Sequence, residues 1–115
     1  MSERADSFDV QAELLKAMAH PVRLRLLEEL AKGEECVCHI SALLDKPQPY
    51  ISQQLASLKE AGLVVDRRDA QWVFYRIADP HVVELLKILR GLAGASEQPT
   101  EPRRSLAGCA CPKCA

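Results

Sequence analysis

The sequence predicts a mainly α domain with one β-hairpin, and three observations carry that prediction. Apolar residues recur at helical spacing through most of residues 8–92, β-branched and aromatic residues crowd together only between Leu63 and Ile77, and proline or glycine marks the joins. The centre is the stretch from Cys36 to Gly62, which reads as a helix, a tight turn at Lys46-Pro47-Gln48-Pro49 and a second helix. Two thiols one residue apart, Cys36 and Cys38, stand at its opening.

The first helix carries Phe8, Leu14, Leu15 and Met18 and ends near Ala19, because Pro21 disfavours continuation through His20. Pro21 suits the first turn of the second helix, whose apolar face is Val22, Leu26, Leu27 and Leu30 and whose stop is Lys32-Gly33. Arg23 and Arg25 lie off that face, as solvated side chains or as phosphate contacts, and His20 beside the proline is structural. The third helix carries the cysteine pair and packs through Ile40, Leu43 and Leu44.

The fourth helix runs from Tyr50 to a capping Gly62, with Ile51, Leu55 and Leu58 on one stripe and Tyr50, Gln53 and Ser57 pointing the other way. Leu63–Arg67 and Gln71–Ile77 form the hairpin, with Arg68-Asp69-Ala70 at its tip. After Asp79-Pro80, the apolar run Val82, Val83, Leu85, Leu86, Leu89 and Leu92 makes a last helix too apolar to be fully solvated, so it pairs with another chain as well as with its own core. Residues 1–95 are therefore one domain, and 96–115 a flexible tail ending in Cys109, Cys111 and Cys114.

Composition narrows the function. The chain has 115 residues, 48% of them hydrophobic, which is enough for one packed core. Its net charge of -1 gives no global pull on nucleic acid, so affinity must come from local charge and from two copies. Between Lys46 and Arg76, five basic residues (Lys46, Lys59, Arg67, Arg68, Arg76) face three acidic ones (Glu60, Asp66, Asp69), an excess of two. Gln48 in the turn, and Tyr50, Ser52, Gln53 and Gln54 on the fourth helix, are expected at base edges in the major groove, with Lys46, Lys59, Arg67 and Arg68 on phosphates or in the minor groove beside the wing. No Ser/His/Asp set, phosphate loop or paired carboxylates appears at usable spacing, which argues against an enzyme. A polar N-terminus without an apolar core, and no run near membrane-spanning length, predict a cytoplasmic protein with no membrane partner.

Five cysteines in a reducing compartment are ligands or redox groups rather than structural bridges. Thiolates select soft or borderline ions such as As(III), Sb(III), Cd(II), Pb(II), Hg(II) and Zn(II), whereas hard ions would want oxygen. On an ideal helix residues two apart diverge by about 200°, so binding both Cys36 and Cys38 is expected to unwind the start of the third helix. Two thiols are too few, and the sixteen residues 93–108 give the tail a reach of roughly 20 to 25 Å. Either Cys109, Cys111 or Cys114 completes a composite site, or the tail forms an independent one. A thiol redox switch and a metal carrier are the competing functions, and His39 reads as an ordinary histidine rather than a ligand.

Several stretches together resemble the ArsR/SmtB family of metal-sensing winged helix-turn-helix repressors. They are Ala19–Leu27, Glu35–Ile40, Gln48–Leu55, Leu58–Val64 and Trp72–Ile77, within a resemblance that covers residues 10–92. It implies a winged helix-turn-helix, dimeric through its terminal helices, that binds an operator as a homodimer and leaves it when metal binds; the ion implied is a regulatory As(III) or Sb(III), with Cd(II), Pb(II) or Zn(II) as the alternative, and not a permanent cofactor. An imperfect inverted repeat is the expected target. Ser41 stands where arsenite sensors of the family often have a third cysteine. Of the family's site on the last helix, Asp79 and His81 match the first half, whereas Leu92 and Ala95 occupy the second.

Overall fold

The computed structural model describes residues 7–94. In chain order the elements are α1 (Ser7–Met18), α2 (Pro21–Ala31), β1 (Glu35–Cys36), α3 (Val37–Leu44), α4 (Gln48–Glu60), β2 (Val64–Asp69), β3 (Trp72–Ile77) and α5 (Pro80–Leu92). No helix among these residues is long and apolar enough to cross a membrane.

Local chemistry explains most boundaries. His20 caps α2, its Nδ1 accepting from the Val22 N–H at 3.2 Å, and Pro21 sits at the first helical position where a missing N–H costs nothing. Asp45, in the left-handed region at φ 53°, ends α3, and the Lys46 N–H returns to the Ser41 carbonyl at 3.1 Å. Helix α4 starts at Gln48, earlier than the proline pair suggests, because Pro49 falls in the first turn and needs no amide partner there. Gly62 at φ 82° closes α4: its N–H reaches the Lys59 carbonyl at 2.9 Å, and the Leu63 N–H reaches Leu58 at 3.0 Å.

The core gathers Leu26, Leu27 and Leu30 from α2, Val37, Ile40 and Leu44 from α3, and Ile51, Leu55 and Leu58 from α4. Leu63, Val64 and Tyr75 from the hairpin and Val82 and Leu86 from α5 close it. Each fully buried leucine is worth about 1.5–3 kcal/mol over an exposed one, so the α4 stripe anchors that helix firmly on α2 and α3. An Arg90–Glu28 ion pair joins α5 to α2.

The sheet departs from the expected two-stranded hairpin. Its order is β1-β3-β2, fully antiparallel, with Glu35 opposite Tyr75 and Cys36 opposite Phe74. The hairpin turn also sits one residue later than expected: Arg68 and Asp69 pair with Val73 and Trp72 inside the ladder, and Ala70, at φ 55°, makes the turn.

Candidate functional site

Strand β1 changes the geometry of the cysteine pair. Cys36 is not in α3; it is the extended residue that caps it, with φ -86° and ψ 152°, and its Sγ accepts the His39 N–H at 3.3 Å. The 200° divergence of an ideal helix therefore does not apply. The sulfurs of Cys36 and Cys38 meet as a disulfide, with Cα atoms 5.5 Å apart, while α3 stays wound from Val37. The expected unwinding of α3 is thus not needed to bring both sulfurs together.

Cys36 is wholly buried and forms a small cluster with Phe74, against which Cys38 and Trp72 pack half-buried. The Cys36 sulfur therefore receives an amide hydrogen at the N-terminus of α3, where the helix dipole is positive. Beside it His39, also buried, faces Glu35 with Nε2 to Oε2 at 3.7 Å. That neighbour explains His39 without a ligand role. Ser41, in the position of a third thiol, donates from Oγ to the Lys46 carbonyl at 2.6 Å and so braces the turn between α3 and α4. No group of three or more His, Cys, Asp or Glu that could hold a metal occurs among the described residues. Cys36 and Cys38 fit a thiophilic ion by donor type but supply only two sulfurs. Cys109, Cys111 and Cys114 lie outside the described residues.

The residues expected at DNA divide into several environments. Gln48 and Gln53 are exposed on α4 and Ser52 is half-exposed beside them, as base readers require. Tyr50 is half-buried against the main core. Gln54 is held by Arg23, its Oε1 accepting from Arg23 Nε at 2.8 Å. Of the basic residues, Lys46 and Arg68 are exposed, and Lys59 pairs with Asp66 at 3.0 Å. Arg67 forms a fork with Glu34, two bonds of 2.8 Å, and lies over the Phe74 ring with its Cζ 4.5 Å from the centroid. The Glu34 hydrogen bond, the largest cause, raises the Arg67 pKa further above its already high value.

The fork, the Phe74 contact and the β1–β3 ladder were beyond sequence reasoning, though the acidic pair Glu34-Glu35 and the basic pair Arg67-Arg68 carried a faint signal of complementary charge. Asp79 and His81 also find a local role. Asp79 caps α5, accepting from the His81 N–H and facing the His81 ring Nδ1, both at 2.8 Å.

A turn-linked helix pair, the second helix polar on its outer side, with a charged hairpin alongside, defines a winged helix-turn-helix DNA-binding domain. Residues 20–65 match the bacterial regulatory protein, arsR family. A biofilm growth-associated repressor of Agrobacterium fabrum is 46% identical over 87 residues, spanning 76% of this chain and 74% of that protein. The arsenical resistance operon repressor of Escherichia coli is 43% identical over 77 residues, spanning 66% of this chain and 65% of that one. Among solved structures, the homodimeric winged helix-turn-helix DNA-binding domain of a possible ArsR-family regulator from Mycobacterium bovis matches with a TM-score of 0.71. It is 33% identical and covers 82% of this chain and 91% of its own. The chain belongs to the ArsR family of bacterial regulatory proteins, a family of DNA-binding transcription regulators and not of enzymes.

Proposed function

We propose that this chain is a thiophile-responsive transcriptional repressor. It binds an operator as a homodimer and releases it when As(III) or Sb(III) is taken up by Cys36, Cys38 and at least one of Cys109, Cys111 and Cys114. Cd(II), Pb(II) or Zn(II) on the same sulfurs is the alternative. Gln48, Tyr50, Ser52 and Gln53 face bases of an imperfect inverted repeat, and Lys46, Lys59, Arg67 and Arg68 face phosphates. Two relatives named as repressors, one of them of an arsenical resistance operon, support repression as the mode of action and arsenic as a candidate ligand.

The observation that carries this reading is the double duty of Cys36. Its sulfur caps α3, which supports α4, and its backbone is a rung of the wing sheet opposite Phe74. Engaging that sulfur draws it from the His39 N–H and disturbs the Phe74 packing, so both DNA-contacting elements feel one event.

The dimer is supported by apolar residues exposed on the terminal helices: Phe8, Val10 and Leu15 on α1, and Leu85, Ile88, Leu89 and Leu92 on α5. Phe8, Ile88 and Leu92 are 77, 68 and 83% exposed, a pattern that a second copy would cover. Such a regulator works in the cytoplasm, where its DNA is.

The test is operator binding by the reduced chain, on DNA upstream of its own gene, during titration with arsenite, Cd(II) and peroxide. Wild type is expected to release on arsenite. Cys36→Ser, Cys38→Ser and a variant with serine at 109, 111 and 114 are expected to bind DNA and lose release. Release that survives the loss of both Cys36 and Cys38 would place the trigger elsewhere.

The juxtaposed sulfurs favour one second reading, a redox switch on the same scaffold. Closing the Cys36–Cys38 bond removes two electrons and two protons from the thiols and passes them to a peroxide or a disulfide. Release by peroxide with indifference to arsenite would select it.

A further inference from the structure

We propose that Arg23 is a positioning residue for DNA reading: it clasps Gln54 and the end of α1, fixing the attitude of α4, so that Gln54 orients the recognition helix instead of touching a base. This rests on α4 being the DNA-reading helix and α1 a dimer helix, as proposed above.

Arg23 projects from α2 and is half-buried. Its Nε donates to Gln54 Oε1 at 2.8 Å, and its Nη1 donates to the Ala17 carbonyl at 3.1 Å. Ala17 lies in the last turn of α1, where carbonyls have no amide partner within their own helix. A guanidinium there also meets the negative end of the α1 dipole. One side chain thus joins three helices at the cleft between α1 and α4, which Leu14, Ala17, Ser57 and Ala61 also line.

The α4 geometry agrees. Successive residues turn by about 100° on a helix, so Gln54 is carried off the face of exposed Gln53 and toward buried Leu55. The planar fork of arginine holds both acceptors at fixed angles, which a lysine ammonium does not. An α4 free to roll by a few degrees would misplace Gln48 and Gln53 at base edges. Because α1 also faces the partner copy in the proposed dimer, the clasp ties the reading angle to the spacing of the two half-sites.

The experiment uses the full reduced chain and a duplex selected from random DNA by the wild-type protein, with binding followed by anisotropy at several salt concentrations. Gln54→Met is expected to weaken binding about tenfold, the scale of one lost hydrogen bond, and Arg23→Gln, which also gives up the Ala17 carbonyl, at least as much. The double variant should be no weaker than Arg23→Gln alone, as for two groups acting as one unit. The salt dependence should match wild type, and base preference should be unchanged at every position. Gln54→Glu, which keeps an acceptor for Arg23, should stay within about threefold of wild type and lose that tolerance when Arg23→Gln is added.

A salt slope shallower by about one in Arg23→Gln would make Arg23 a phosphate contact and overturn the proposal. Relaxed preference at a single base pair in Gln54→Met would make Gln54 a base reader, with the same result. Additive losses in the double variant would also overturn it. The Gln54 variants decide the matter even if Arg23→Gln proves unstable. A wild-type chain that selects no sequence at all would instead overturn the DNA reading, a distinguishable failure that takes the clasp's role with it.

Discussion

Replacing Phe74 with leucine tests the route by which the proposed sulfur site would reach the wing. Phe74 is wholly buried, lies opposite Cys36 in the ladder, and carries the Arg67 guanidinium over its ring. Exchanging the ring for a smaller branched chain costs about 1–1.5 kcal/mol in packing. Losing an exposed cation–π contact adds about 0.5–1 kcal/mol. The sum of about 2 kcal/mol is a sizeable share of the 5–15 kcal/mol typical of whole domains, yet leaves the fold standing. At roughly 4–8 °C per kcal/mol for a domain of this size, the melting temperature of the reduced chain should fall by about 10 °C. Operator binding should survive, because the α4 stripe is untouched. Arsenite should still be taken up by the cysteines, but its power to release DNA should shrink, because the side chain linking Cys36 to Arg67 is gone. Full-amplitude release at unchanged arsenite concentration would refute the wing route and leave α3 and α4 as the sole path. A stability change below about 0.5 kcal/mol, the usual size of a surface effect, would refute the packing of Phe74 on Cys36 itself.

Three further outcomes follow from local features. Ala70 occupies the left-handed region at φ 55°, so Ala70→Gly should stabilise the chain by about 0.5–1 kcal/mol, read as a rise in melting temperature. Placing charge on the apolar face of α5 with Ile88→Glu and Leu92→Glu should give a folded monomer in analytical ultracentrifugation. Losing bivalency should weaken operator binding by about a hundredfold or more. The Asp79 carboxyl is held below its ordinary value, first by the His81 N–H and then by the His81 ring. A depressed value means the charge contributes stability above the unfolded-state pKa and loses it as pH falls through the folded-state one. The melting-temperature gap between wild type and Asp79→Asn should therefore be open at neutral pH and close on acidification; a gap that widens in acid would contradict the cap.

The elements legible in the sequence are those whose signal repeats. The 3.6-residue stripe of α4, the Gly62 stop and the β-branched cluster of the wing could be read directly, since each is fixed by residues near in sequence. Strand β1 could not: two residues carry no period, and Glu35–Cys36 becomes a strand only because β3, some forty positions away, offers an edge. The helical-wheel treatment of Cys36 and Cys38 failed for that reason. The start of α4 was misplaced because Pro47 and Pro49 read as breakers, whereas a first turn accepts them.

The site residues show the same division. Gln48, Gln53, Lys46 and Arg68 are exposed as a polar pattern suggests. Arg67 and Gln54 look identical to them in sequence and differ only through partners 33 and 31 residues distant. Residue type marks what a side chain can bond, and only the tertiary arrangement decides with whom.

The complete burial of Cys36 beneath Phe74 bears on speed as much as on affinity. In the proposed sensor, a reduced Cys36 sealed inside could not be reached by diffusion alone, so ion capture would begin at half-exposed Cys38 and wait for β1 to part briefly from β3. Response time would then follow the frequency of that breathing, and a wing pressed into a groove breathes less often than a free one. Regulator already on its promoter would react later than regulator in solution, so brief pulses of toxicant would be filtered out and only sustained exposure would switch the gene.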